Sequence, residues 1–111
     1  MENNEFFKNY SAFISFRAGR YGKSTLFENE HILVGLNCLE PGQEMDKHAH
    51  EVQCRFYLVL EGSGQVWVGN EQKETETGMV IWVPAGNTHR IVNTGMGRLV
   101  LLVGIAPTQA D

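Results

Sequence analysis

The most constraining feature of this sequence is a series of short apolar segments separated by glycine-containing turns. The chain has 111 residues and 12 glycines. Between the turns, segments rich in Val, Ile, Leu and aromatic residues predict strands at residues 32–39, 43–50, 56–60, 65–68, 72–76, 79–83, 89–93 and 99–105. Many short strands at regular spacing predict an all-β sandwich or barrel. No segment after residue 30 keeps a helical apolar period, which disfavours an α/β fold.

The first thirty residues are harder to interpret. Their aromatic residues would fit a helical stripe, but residues 13–16 could also form a strand. We expect residues 1–25 to form an arm that covers a sheet edge or swaps onto a partner subunit. Residues 26–106 would then form the barrel, and residues 107–111 a short tail.

Composition excludes several classes of partner. The net charge of −4 and the lack of a basic patch argue against nucleic-acid binding. The longest apolar run, residues 99–105, has the length of a strand and not of a membrane span. The N-terminus is acidic, unlike a secretory signal, so we expect a cytoplasmic protein whose two cysteines, Cys38 and Cys54, are reduced.

Two segments carry residues suited to chemistry. His48 and His50 lie two positions apart, so on a strand both side chains point the same way. In the second segment a predicted strand ends at Pro84, Gly86 permits a tight turn, and His89 opens the next strand. A histidine at this place points to the mouth of a barrel, where small molecules commonly bind.

In this order the two segments resemble the two-motif signature of the cupin superfamily, and the chain is most similar to its small single-domain bacterial members. The matching positions are Gly42, His48, His50 and Gly62 in the first motif and Gly78, Pro84, Gly86, His89 and Asn93 in the second. The resemblance implies an antiparallel double-stranded β-helix, or jelly-roll barrel, with a pocket at one mouth. It also implies a homodimer. In metal-binding cupins the three motif histidines and a glutamate hold one divalent metal.

One signature position departs from the family. The glutamate expected seven residues before Gly62 is replaced by Arg55. At about 5 Å from a divalent ion, with an effective dielectric of about 20, a guanidinium would repel the metal by roughly 7 kcal/mol. Zinc in peptide sites gains about 10–16 kcal/mol, so the penalty weakens the site without abolishing it. Alternatively, a strand shifted by one residue would turn Cys54 toward the pocket as a ligand and Arg55 outward.

Two functional hypotheses follow. In the first, His48, His50 and His89 hold Zn, Fe, Ni, Mn or Cu, with Cys54 as an alternative ligand, and Arg55 or Tyr57 orients a small anionic substrate. A dioxygenase or an isomerase is the leading expectation for such a site. In the second, the barrel is a non-catalytic module that binds or senses a small molecule, and Arg55 replaces the metal as the positive centre. No residue is assigned as catalytic.

Overall fold

The computed structural model describes residues 6–108, and within that range the chain forms nine strands. They are β1 Gly22–Glu28, β2 Leu33–Leu39, β3 Glu44–His48, β4 Cys54–Glu61, β5 Ser63–Val68, β6 Glu71–Glu76, β7 Val80–Val83, β8 His89–Val92 and β9 Leu99–Ala106. The helical structure of the described residues is a single 3-10 turn, Tyr10–Phe13. No helix in residues 6–108 is long and apolar enough to cross a membrane.

The strands pair into two antiparallel sheets. One has five strands in the order β1-β2-β9-β4-β7, and the other has four in the order β3-β8-β5-β6. The prediction of an antiparallel all-β fold is confirmed, and each of the eight predicted segments corresponds to one of the strands β2 to β9. This arrangement is the double-stranded β-helix expected from the sequence.

The core lies between the two sheets. Side chains alternate across a strand, so every second residue of β4, β8 and β9 points inward. The inner cluster consists of Leu39, Met45, Tyr57, Val59, Val66, Ile81, Val83, Ile91, Leu99, Leu101 and Val103. These residues fill one end of the sandwich and leave the opposite end for polar groups.

The N-terminal segment lies across the outer face of the larger sheet. It is neither the long helix nor the strand considered for this region. Its aromatic residues, including Phe13 and Phe16, pack on a second apolar cluster formed by Leu26, Leu36, Cys38 and Val100. The Phe13 carbonyl accepts a hydrogen bond from Ser24 Oγ at 2.6 Å. In this way the segment covers a sheet face of its own chain.

The predicted boundary between the arm and the barrel can be compared with the first strand. Strand β1 begins at Gly22, inside the segment 1–25 expected as an arm. Gly22 is required there, because a Cβ atom would overlap the backbone carbonyl oxygen of Ser15. Residues 1–5 of the expected arm and residues 109–111 of the expected tail lie outside the described residues.

Apart from Glu61, which pairs with Val100 and accepts a hydrogen bond from Tyr10 of the N-terminal segment, the outer face formed by β4, β7 and β9 carries no charged side chain within those three strands. Its positions are Cys54, Phe56, Leu58, Leu60, Val80, Trp82, Val100, Leu102, Gly104 and Ala106. The N-terminal segment covers the part around Val100, but Val80 and Trp82 remain 65% and 60% exposed. An antiparallel sheet that faces water normally has polar residues on that side, so this face has the composition of a covered surface.

We propose that a second copy of the chain covers this face, which is the homodimer expected from the sequence. Copies with net charge −4 repel each other, and the part of this face around Val80 and Trp82, which has no charged side chain, is where they can meet. Light scattering should give about twice the 12.5 kDa chain mass for the protein and the monomer mass for Trp82→Asp. Met96→Asp changes an even more exposed apolar residue on a loop and should remain dimeric. A dimeric Trp82→Asp variant would contradict the proposal.

Candidate functional site

The three motif histidines meet at the mouth of the barrel. His48 ends β3 and pairs directly with His89, which opens β8. Their ring centroids are 4.4 Å apart. The ring of His50 lies 4.9 Å from that of His48 and 6.3 Å from that of His89. Two distant parts of the sequence are thus joined by the β3–β8 pairing.

Two signature residues, Gly86 and Asn93, fix loops of the barrel by hydrogen bonds. Gly86 has a positive φ of 86° and donates its backbone N–H to the His50 carbonyl oxygen at 2.8 Å. The buried Asn93 side chain donates to the carbonyl oxygens of Leu39 and Gly97, both at 2.9 Å, and accepts from the Gly95 N–H at 3.0 Å. The Gly86 bond ties the loop after β7 to His50, and the Asn93 bonds satisfy buried polar groups at the other end of β8.

Strand β4 places Arg55 and Tyr57 on its inner face. Arg55 pairs with Val83 of β7 and with Ile105 of β9, so both neighbouring strands fix its register. Cys54 is the preceding residue and lies on the opposite, outer face. The structure therefore has the unshifted register, with Arg55 in the pocket and Cys54 away from the histidines.

The guanidinium of Arg55 is buried with few partners. The residue is 8% exposed, and its Nη2 donates to Gln53 Oε1 at 3.0 Å. Arg55 forms no ion pair with any residue in 6–108, and Glu44 pairs with Arg90 instead, at 2.6 Å. A guanidinium has five N–H donors and keeps its charge, so this group retains unused donors in a desolvated place.

Burial determines the protonation of the site. Burial, together with the nearby charges of His48 and Arg55, lowers the pKa of His89 to about 4, so the ring is neutral near pH 7. Burial and the charge of Arg55 also lower the pKa of His50. Burial raises the pKa of the Tyr57 hydroxyl, although Arg55 opposes this change. At neutral pH the Arg55 guanidinium therefore keeps its positive charge, while the His89 ring beside it is neutral.

The hydrogen bonds of the rings indicate which nitrogens are free. His48 Nδ1 lies 2.6 Å from the Asp46 carbonyl oxygen, which only accepts, so Nδ1 donates and Nε2 keeps its lone pair. His89 Nε2 bonds to the Tyr57 hydroxyl at 3.1 Å, and His89 Nδ1 is buried with no partner among the described residues. His48 Nε2 and His89 Nδ1 are thus uncommitted within the described residues.

The site was tested for its fit to a divalent metal. Neutral imidazoles are suitable ligands, and the unpartnered His89 Nδ1 is consistent with one. However, no group of three or more His, Cys, Asp or Glu residues within 6–108 is arranged so that it could hold a metal ion. The buried Arg55 also adds positive charge where a carboxylate ligand would neutralise a metal. As arranged, the histidines supply suitable donors without forming a complete metal site.

A cavity of about 290 Å³ adjoins His48, His50 and Arg55 and extends along β1 and β2. Its lining consists of Tyr21, Lys23, Ser24, Thr25, Leu33, Gly35, Leu36, Asn37, Met45, His48, His50, Arg55, Val103 and Ile105. None of these residues is acidic, although the chain as a whole is acidic. The lining therefore combines apolar side chains with cations and neutral polar groups, and it contains no carboxylate.

Of these lining residues, sequence reasoning identified His48, His50 and Arg55, and Asn37 and Lys23 are two polar ones that it missed. Asn37 interrupts the apolar segment 32–39, and a polar residue within a predicted buried strand was a signal that could have identified it. Lys23 had no such signal, because strand β1 was not predicted. Pairing of β1 with β2 brings Lys23 directly opposite Asn37.

Comparison with known proteins agrees with the fold and the motif positions. Residues 35–105 match the cupin domain family. An uncharacterised protein of Streptomyces coelicolor, SCO3923, is 32% identical over 92 residues, covering 82% of this chain and 87% of that protein. The crystal structure of TT1209 from Thermus thermophilus superposes with a TM-score of 0.88 at 33% identity, covering 91% of this chain and 96% of that one.

A second solved structure, which is less similar in sequence, shows the fold alone. It is an uncharacterised conserved protein of Klebsiella pneumoniae with a double-stranded β-helix domain, and it superposes with a TM-score of 0.90 at 20% identity. The alignment covers 97% of this chain and 95% of that one. Together with the match over residues 35–105, these likenesses establish that the chain is a member of the cupin family.

Proposed function

We propose that this cupin binds a small anionic molecule, through a carboxylate or similar group, in the cavity beside His48, His50 and Arg55. The observation that carries the proposal is the buried guanidinium of Arg55, which has no ion pair within residues 6–108. A buried charge is unfavourable unless it is paired. The cavity lining contains no carboxylate, and in this proposal a ligand supplies the missing counter-charge.

The geometry of the group also favours an anion. A guanidinium binds a carboxylate bidentately through two parallel N–H···O bonds, which fix its orientation as well as its charge. His48 Nε2 has a free lone pair and can accept a hydrogen bond from a hydroxyl of the ligand. The neutral His50 ring adds one N–H donor. Together these groups can bind and orient a small polar anion.

Removing the guanidinium tests this proposal. Carboxylate and phosphate probes, including malonate and inorganic phosphate, should raise the melting temperature of the protein. Arg55→Met should weaken probe binding by about 1.5–3 kcal/mol, roughly ten- to hundred-fold in Kd, because charge-assisted hydrogen bonds are lost. Isothermal titration calorimetry measures this loss. The variant should remain folded, since it removes an unpaired buried charge.

Arg17→Met is the matched control, because it removes an exposed guanidinium on the N-terminal segment. It should leave probe binding unchanged. If no anion binds the unmodified protein, or if Arg55→Met binds as tightly as Arg17→Met, the proposed function is wrong.

A second candidate function is metal binding at His48, His50 and His89. The proximity of the three rings and the unpartnered His89 Nδ1 support it. The expected dioxygenase or isomerase activity would belong to this candidate, with the metal acting as a Lewis acid or an oxygen-activating centre. Arg55 and the absence of a suitable ligand group within residues 6–108 weigh against it. With or without a metal at the histidines, the proposed anion binds at Arg55.

Elemental analysis of protein purified without a histidine tag distinguishes the two candidates. On the first proposal the bound metal should be well below one ion per chain, and His50→Ala should not change it. About one ion per chain, lost in His50→Ala and kept in His31→Ala, would establish the second candidate instead. His31 is a suitable control because its ring is exposed and pairs with Glu30, outside the site.

A further inference from the structure

The side of the cavity opposite Arg55 contains a buried amide that the protein does not use. Asn37 is 6% exposed and lines the cavity. Its side chain makes no hydrogen bond to any residue in 6–108, whereas the other buried polar side chains there each have a partner. Those are Arg55 with Gln53, Thr75 with the Gly64 carbonyl, His89 with Tyr57, and Asn93 with Leu39 and Gly97.

The amide atoms of Asn37 still reach the cavity, since the one fully buried polar side-chain atom without a partner in residues 6–108 is His89 Nδ1. Their hydrogen bonds can be made by water or by a ligand in the cavity, so the amide is available for binding. A leucine at this position would suit its apolar neighbours in β2 better, and Asn37 makes no turn or cap that would require an amide. Such a residue is explained when it bonds to something that occupies the cavity. Asn37 therefore points to a ligand independently of Arg55.

Lys23 adds a positive charge at the same end of the cavity. It lies directly opposite Asn37 in the β1–β2 pairing, and both residues line the cavity. Lys23 is exposed at the rim, where its Nζ lies 5.8 Å from the centroid of the Tyr21 ring. A buried amide beside a cation at the rim suits a second anionic group more than a neutral one.

The two polar ends of the cavity are separated by a definite distance. Arg55 pairs with Ile105 of β9, and Asn37 pairs with Leu101 of the same strand. The two residues are thus two strands apart, about 10 Å, and offset by four residues of β9, about 13 Å. The long Arg55 side chain and the shorter Asn37 side chain both reach into the cavity and shorten this gap. A single carboxylate cannot contact both ends.

We infer that Asn37 and Lys23 form a second subsite and that the ligand is a small linear dicarboxylate. One carboxylate binds Arg55, and the other accepts hydrogen bonds from the Asn37 amide and the Lys23 ammonium. A cavity of about 290 Å³ is at the small end for ligand sites and fits a chain of roughly four to six carbons. This inference rests on the proposed function of Arg55 and specifies its ligand class.

Calorimetric titration with matched probes tests the inference. Glutarate and adipate are compared with butyrate, which has a single carboxylate. The protein should bind the better dicarboxylate at least ten-fold more tightly than butyrate. Asn37→Leu should lose this preference and keep its butyrate affinity, and Lys23→Met should reduce the preference several-fold. Asn70→Ala and Lys73→Met are controls on the opposite side of the barrel and should keep it.

Thermal unfolding separates a ligand contact from a structural role. Because Asn37 has no partner within the described residues, Asn37→Leu should melt at the same temperature as the unmodified protein or higher. A strongly destabilised Asn37→Leu variant, or one that keeps the dicarboxylate preference, overturns the inference. If butyrate and the dicarboxylates bind equally well, only the second subsite is wrong. If neither binds, the proposed function of Arg55 fails as well.

Discussion

The buried charge of Arg55 is the constraint to which the rest of the pocket has to adapt. Pairing of β4 with β7 and β9 holds the residue on the inner face, so it cannot turn to solvent without breaking the sheet. Burial and this fixed cation lower the pKa values of His50 and His89, and the cation also repels a metal and attracts anions. The acid-free lining of the cavity is consistent with this charge being reserved for a ligand.

The barrel provides this arrangement by separating packing from binding. The inner apolar cluster fills one end of the sandwich, and the β3–β8 pairing joins two histidines from distant motifs at the other end. The backbone N–H of Gly86 and the side chain of Asn93 stabilise the loops at the two ends of β8 with hydrogen bonds to backbone carbonyl oxygens. Because these supports do not depend on the chemistry in the pocket, a single replacement at the Arg55 position can change what the site binds while the fold stays the same.

Much of the fold and part of the site could be predicted from the sequence. Alternating apolar residues between glycine turns identified strands β2 to β9. The resemblance of the two motifs to the cupin signature implied that His48, His50 and His89 meet, and their rings do lie close together. The strand predictions depend on local periodicity. Strand β1 was missed because its residues, including Lys23 and Thr25, are largely polar and form an edge of the sheet. Its inward side chains were therefore missed too.

The choice between Arg55 and Cys54 could not be made from the sequence, because a shift of one residue exchanges the two faces of a strand. Long-range pairing with β7 and β9 settles this choice, and a motif does not encode it. The significance of Asn37 likewise depends on which neighbours it lacks, which is a property of the folded chain. The assignment of the arm to its own sheet face depends on contacts such as Ser24 with Phe13.

The most direct test of the account is to measure anion affinity and metal content in one variant, Arg55→Glu. This change restores the carboxylate of the metal-binding signature in a scaffold that is otherwise unaltered. The account predicts that the variant loses calorimetric binding of malonate and gains metal, approaching one divalent ion per chain by elemental analysis. If the variant binds malonate as the unmodified protein does and its metal content stays the same, Arg55 is not the centre of the site and the account is contradicted.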